Sequence, residues 1–148
     1  YDPYVDEKTI NLFGGNKVNN FIDGLKKCDY LSIHMPLNQE TKNLINYDII
    51  KKMKKSAILI NTARGGIINE SDLNRALNEK ILFGAGLDVF ENEPIKKDNP
   101  LIQNSKVILS PHIATNTDEC LSRMSIETIK NIVEFFENKI DKSMIVKL

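Results

Sequence analysis

The sequence has little cysteine, no net charge and no long apolar run. Its two cysteines, Cys28 and Cys120, are far apart and lack the spacing of metal ligands. They read as reduced thiols of a cytoplasmic protein, with a single disulfide as the alternative. Twenty basic residues balance 20 acidic ones, so nothing points to nucleic acid or an anionic membrane as partner. No apolar run approaches the roughly 20 residues that span a bilayer. Internal repeats, low-complexity tracts and flexible linkers are also missing. What remains is a chain of 148 residues, enough for one ordinary soluble domain with a core.

The informative stretch is Ser56-Ala57-Ile58-Leu59-Ile60-Asn61-Thr62-Ala63-Arg64-Gly65-Gly66. Four apolar residues, two of them β-branched, run into a polar step, an arginine and two glycines. This pattern predicts a strand buried on both faces that ends in a sharp turn. Arg64 then sits just past the carboxyl end of the strand, where ligands of open α/β sheets bind. Its guanidinium can grip a carboxylate there, or pair with a surface acid.

The rest of the chain alternates between the two periods. Tyr1 to Tyr4 reads as a strand end breaking at Pro3. Asp6 to Phe13 reads as a short helix stopped by Gly14-Gly15, Lys17 to Asn19 as a short strand, and Phe21, Ile22 and Leu25 as one side of a helix. A strand at Tyr30 to His34 stops at Pro36; a turn or short helix follows at Thr41 to Leu44, then a helical piece from Tyr47 to Met53 with a basic end. Asn69-Glu70-Ser71-Asp72 resembles a capping box with Asp72 at the reciprocal position. Leu73, Ala76 and Leu77 continue as a helical stripe. Phe83 to Phe90 and Val107 to Leu109 read as strands. Asn116, with Glu119 three residues on, is the expected cap of a last helix carrying Leu121, Met124, Thr128, Ile132 and Phe135 on one side. Strands alternating with helices predict a parallel sheet covered on both faces.

Three strands run into polar residues: Arg64, Glu93 and His112. In a parallel sheet these ends point the same way. A histidine, a carboxylate and an arginine brought together suit proton transfer to a substrate held by its carboxylate. The alternatives are a helix-capping His112 and a turn-bracing Glu93. Asp88, inside an apolar strand, needs a partner because an unpaired buried carboxylate is costly.

Asn61-Thr62-Ala63-Arg64-Gly65-Gly66, Asp88-Val89-Phe90-Glu91-Asn92-Glu93-Pro94 and Ser110-Pro111-His112-Ile113-Ala114 resemble three signature blocks of the D-isomer-specific 2-hydroxyacid dehydrogenases. His34-Met35-Pro36-Leu37 with Thr41 to Ile45 resembles a fourth. The blocks stand in the family's order and at about its spacing. The resemblance implies a Rossmann-like, doubly wound parallel α/β sheet and NAD as cofactor. It implies that Arg64 binds the substrate carboxylate and polarises the carbonyl. His112 becomes the general acid in reduction and the base in oxidation, and the charge of Glu93 favours its protonated form. Asp88 meets the nicotinamide carboxamide. Met35, Pro36, Thr41, Thr62, Ala63, Arg64, His112 and Ala114 line the cofactor site, and Asp2 receives the ribose hydroxyls and repels a 2′-phosphate. A turn-forming Asp2 before Pro3 is the alternative.

One departure stands out. The family's G-x-G-x-x-G turn, normally about 20 residues before the ribose acid, is not in the sequence. The expectation is therefore an NAD-binding domain, residues 1–148, missing its first β-α unit, with helix 117–138 packing toward a substrate domain outside the chain. The parent is expected to be a cytoplasmic homodimer acting on a small 2-hydroxyacid, of the 3-phosphoglycerate or hydroxypyruvate type, while the fragment alone is expected to be inactive. Tyr30 to Ile33 should form an exposed apolar edge, with an open groove at the Asp2 end. Two other readings stay open: a corepressor-like relative that binds NAD and acts through protein contacts, and an NAD-binding domain of another enzyme family. Glu93 argues against the formate dehydrogenase branch, which carries glutamine there.

Overall fold

The computed structural model describes residues 1–145. Four strands, β1 (Tyr30–Ile33), β2 (Ile58–Asn61), β3 (Gly84–Leu87) and β4 (Val107–Leu109), form one sheet in the order β1-β2-β3-β4. Every pairing is parallel, with Tyr30 opposite Ile58, Ile58 opposite Gly84 and Ala85 opposite Val107. Helices α1 (Glu7–Leu12), α2 (Phe21–Lys27), α3 (Tyr47–Ile50), α4 (Glu70–Asn78) and α5 (Asp118–Phe136) alternate with the strands. The chain divides into two compact units, Tyr1–His112 and a second beginning at Ile113. Among the described residues no helix is long and apolar enough to cross a membrane.

The core of the first unit joins Ile33 and Leu59 of the sheet to Leu25 of α2, Ile50 of α3 and Leu73, Ala76 and Leu77 of α4. The predicted α4 stripe is thus the packed face. Burial in β2 is less even than the sequence suggests: Leu59 and Asn61 are buried, while Ile58 and Ile60 are half-buried. Successive strand residues face opposite sides of a sheet, so one face is closed and the other partly covered. Of the β3 glycines, Gly84 lies where a Cβ would meet the Lys106 carbonyl at 3.0 Å, whereas Gly86 faces open space.

Several local expectations change. Lys17 to Asn19 form no strand, and Tyr1 to Tyr4 form a bend rather than a strand end. The Asp2 carboxylate makes that bend, accepting from the backbone N–H groups of Tyr4 (2.8 Å) and Val5 (3.2 Å), as Asp does when it closes a turn on its own backbone. The capping box is only half formed. Asn69 caps α4 by accepting from Asp72 N at 2.9 Å. The short Asp72 side chain instead accepts from Tyr47 N at 3.0 Å, in the first turn of α3. The cap of α5 is Thr117, whose hydroxyl accepts from Cys120 N, and not Asn116. α3 ends at Ile50, so the lysines after it act singly; Lys54 pairs with Asp29 at 2.9 Å.

Candidate active site

The turn after β2 is shaped by a buried amide. The Asn61 Nδ2 donates to the Arg64 carbonyl at 2.9 Å, and its Oδ1 accepts from Ala63 N at 3.0 Å. The chain then passes so close to the loop after β3 that a Cβ on Gly65 would stand 1.7 Å from the Phe90 carbonyl oxygen. Only glycine fits that approach. The Arg64 side chain is exposed and donates from Nη1 to the Ala63 carbonyl at 2.6 Å, one of the five N–H donors a guanidinium offers.

The loop facing Gly65 carries Glu93. Its Oε1 accepts from Phe90 N at 3.0 Å, and its Oε2 lies 2.8 Å from His112 Nδ1. An ionised carboxylate only accepts, so Nδ1 carries the hydrogen and Nε2 is the nitrogen available for proton exchange. The Glu93 carboxyl is held below the usual carboxylate range, chiefly by its hydrogen bond to His112, then by the Phe90 N–H; the charges of His112 and Arg64 add to this, and desolvation opposes it. His112 itself takes a left-handed backbone conformation (φ 55°) and donates from N to the Asp88 carbonyl at 2.8 Å. A non-glycine residue held at positive φ is a strained position, here fixed through both backbone and side chain.

Asp88 is 3% exposed, and its Oδ1 accepts from the Ser110 hydroxyl at 2.5 Å. Its backbone N donates to the Asn61 carbonyl at 3.0 Å, which ties it to the Arg64 turn. Arg64, Glu93, His112 and Asp88 therefore gather at the carboxyl edge of β2, β3 and β4.

Four other predicted positions collect elsewhere. Asp2, Met35, Pro36 and Thr41 line a groove of about 720 Å³ along β1, together with Leu31 and Ile33. That volume lies in the range of small-molecule sites. The Thr41 hydroxyl donates to the Pro36 carbonyl at 2.7 Å and accepts from Asn38 N at 2.8 Å, so it shapes the groove wall. Thr62 and Ala63 lie on the Arg64 turn, outside this lining, and Ala114 belongs to the second unit and is exposed. Among the described residues no cluster of ligands could hold a metal ion.

Asn61, Gly65 and Ser110 carry structural roles that the motifs contained without revealing. A polar residue at the inward position of a buried strand was the available signal for Asn61. A serine two residues before the histidine signals nothing until Asp88 is seen beside it.

This donor set suits a dinucleotide: a buried carboxylate to accept from an amide, an acid at the end of a partly apolar groove, and an arginine on the same sheet edge as an imidazole. Residues 1–114 match the model of the D-isomer specific 2-hydroxyacid dehydrogenase, NAD binding domain. The chain belongs to that family, whose cofactor is NAD. It is 40% identical over 121 residues to the glyoxylate reductase of Korarchaeum cryptofilum, covering 82% of this chain and 36% of the relative. It is 38% identical over 146 residues to the D-3-phosphoglycerate dehydrogenase of Methanocaldococcus jannaschii, covering 95% of this chain and 28% of that enzyme. The NAD-complexed D-isomer specific 2-hydroxyacid dehydrogenase from Lactobacillus delbrueckii ssp. bulgaricus superposes with a TM-score of 0.81 at 26% identity, over 98% of this chain and 47% of that one. The chain thus spans less than half the length of these relatives. Their names are those of enzymes, which favours the dehydrogenase reading over the corepressor one.

Proposed function

We propose that the protein carrying this chain moves a hydride between NAD(H) and a D-2-hydroxyacid or its 2-ketoacid, of the 3-phosphoglycerate or hydroxypyruvate type. The observation that carries this reading is the His112–Glu93 pair, closed at 2.8 Å on the sheet edge that also bears Arg64. Arg64 holds the substrate carboxylate through two parallel N–H donors and polarises the neighbouring carbonyl. His112 gives its Nε2 proton to the carbonyl oxygen in reduction and takes it back in oxidation. Glu93 fixes the imidazole through Nδ1. When bound, the cofactor supplies or accepts the hydride at the substrate carbon. Asp88, oriented by Ser110, accepts from the carboxamide of the nicotinamide. Met35, Pro36, Thr41, Thr62 and Ala63 line the cofactor, and Asp2 accepts from the ribose with the oxygen its turn does not use. A carboxylate there disfavours NADP.

The apolar side chains of α5, with Leu121, Met124, Ile129, Ile132 and Phe135 all exposed, suit packing against the substrate domain of a longer protein. A homodimer, and a cytoplasmic location in keeping with two free cysteines, complete the reading. The test is a panel of 2-ketoacids with NADH and NADPH on the full-length protein. Reduction of hydroxypyruvate or phosphohydroxypyruvate with NADH is expected; inactivity with every 2-ketoacid would overturn the proposal.

A further inference from the structure

We infer that Glu70 is a positioning residue for the His112–Glu93 pair, acting through the backbone of the loop that carries Glu93. The inference rests on the acid–base reading of that pair. Glu70 opens α4, where first-turn N–H groups have no partner within the helix. Glu91 supplies one from outside: its Oε1 accepts from Glu70 N at 2.9 Å. The bond is returned, because Glu70 Oε1 accepts from Glu91 N at 2.6 Å. The second Glu70 oxygen is fixed as well, accepting from Asn99 Nδ2 at 2.6 Å. The result is a two-way clamp between the helix and the loop.

What the clamp holds matters for the site. Glu91 N is bound by Glu70, and the preceding backbone N–H, that of Phe90, is bound by Glu93 Oε1 at 3.0 Å. Two consecutive amides are thus committed, one to the helix and one to the carboxylate that holds His112. The Phe90 carbonyl between them is the atom against which Gly65 packs. Glu70 thereby fixes the peptide that aims Glu93, while touching neither the imidazole nor any reacting atom.

The test is the titration of the Glu93 carboxyl, followed by NMR in the full-length protein. His112 and Arg64, whose charges lower the Glu93 carboxyl, are left unaltered. In Glu70→Ala the Glu93 midpoint is expected to rise toward the ordinary carboxylate range. Removing a nearby negative charge alone has the opposite sign, since less repulsion favours the ionised form. A rise therefore reports lost geometry. Glu70→Gln removes the same charge but keeps an oxygen acceptor for Glu91 N, and is expected to restore the low midpoint. If Glu70→Ala does not fold, Glu70→Asp decides: charge is kept, reach is shortened by one methylene, and the midpoint is again expected to rise. A folded Glu70→Ala or Glu70→Asp with an unmoved or lowered midpoint would overturn the positioning role. Unimpaired turnover of full-length His112→Ala would instead overturn the acid–base reading, and the Glu93 titration would still decide separately whether the clamp aims the carboxylate.

Discussion

Along the carboxyl edge of β2, β3 and β4 the loops interlock, whereas along β1 they stand apart. At the first place a backbone carbonyl sits where the Cβ of Gly65 would be, a buried Asn61 braces the Arg64 turn, and Asp88, Ser110, Glu93 and His112 are joined by hydrogen bonds. At the second, an edge strand with Tyr30 exposed borders a groove of about 720 Å³. The Glu93–His112 pair is therefore held in place within the chain by both side-chain and backbone bonds. The groove along β1 is instead shaped by short turns such as those of Asp2 and Thr41.

The largest effect that would sharpen this contrast is on turnover. In the full-length protein, His112→Ala should lower kcat by about 10²–10⁴-fold, the usual contribution of a positioned general acid–base group. Steady-state kinetics with NADH and the best 2-ketoacid measure it. A loss confined to KM would mean that the imidazole binds substrate without exchanging a proton.

Two glycines test the packing difference directly. Gly65→Ala drives a methyl into the Phe90 carbonyl, backbone against backbone, and should destabilise the chain by about 1–3 kcal/mol, as overpacking does. Gly24, inside α2 on the β1 side, meets only the Val18 side chain, with Cγ1 nearest at 3.0 Å. A side chain can yield, and alanine gains up to about 1 kcal/mol of helix propensity over glycine. Gly24→Ala should therefore stay within about 0.5 kcal/mol of wild type. Equal losses in urea melts of the two variants would break the contrast.

A smaller effect concerns β1. An unpaired edge strand invites pairing with another chain, and lysine on such an edge discourages it. The isolated 148-residue chain should associate as its concentration rises, and Tyr30→Lys should reduce that association in gel filtration. A wild-type chain that elutes as a monomer at all concentrations would show the edge to be covered.

The same contrast explains what could be read from the residues. Ala57 to Asn61 announced β2 through its apolar run, and Leu73, Ala76 and Leu77 announced α4 through their spacing, because burial imposes a period. Arg64, Glu93 and His112 were legible because a parallel sheet sends all its carboxyl ends one way. The Asp72 contact to Tyr47, the Ser110 contact to Asp88 and the Glu70–Glu91 clamp were not, since each joins residues 21 to 25 positions apart through hydrogen bonds that leave no periodic trace. Lys17 to Asn19 failed as a strand for a related reason: three residues hold too little pattern to outweigh tertiary context.

The smallest expected effect is the pH dependence of stability at the Glu93–His112 pair. The Glu93 carboxyl is held low by His112 first and by the Phe90 N–H second. A carboxyl depressed in the folded state contributes stability that is fully present above its unfolded value and is lost as pH falls through its folded value. Both groups are partly open to solvent, with side-chain exposures of 51% for His112 and 37% for Glu93, so screening keeps the contribution small. Glu93→Gln removes the charge and leaves one acceptor oxygen where the carboxylate uses two, Oε1 for Phe90 N and Oε2 for the imidazole, much as protonation of the carboxyl does. The variant should thus be slightly less stable than wild type at neutral pH, and the two should converge in acid, below the ordinary carboxylate range. Urea midpoints of both proteins across that range measure the difference. A gap that stays constant into acid would mean that the charge of Glu93 does not act on His112 in solution, and the tight carboxyl edge would then be held by backbone packing alone.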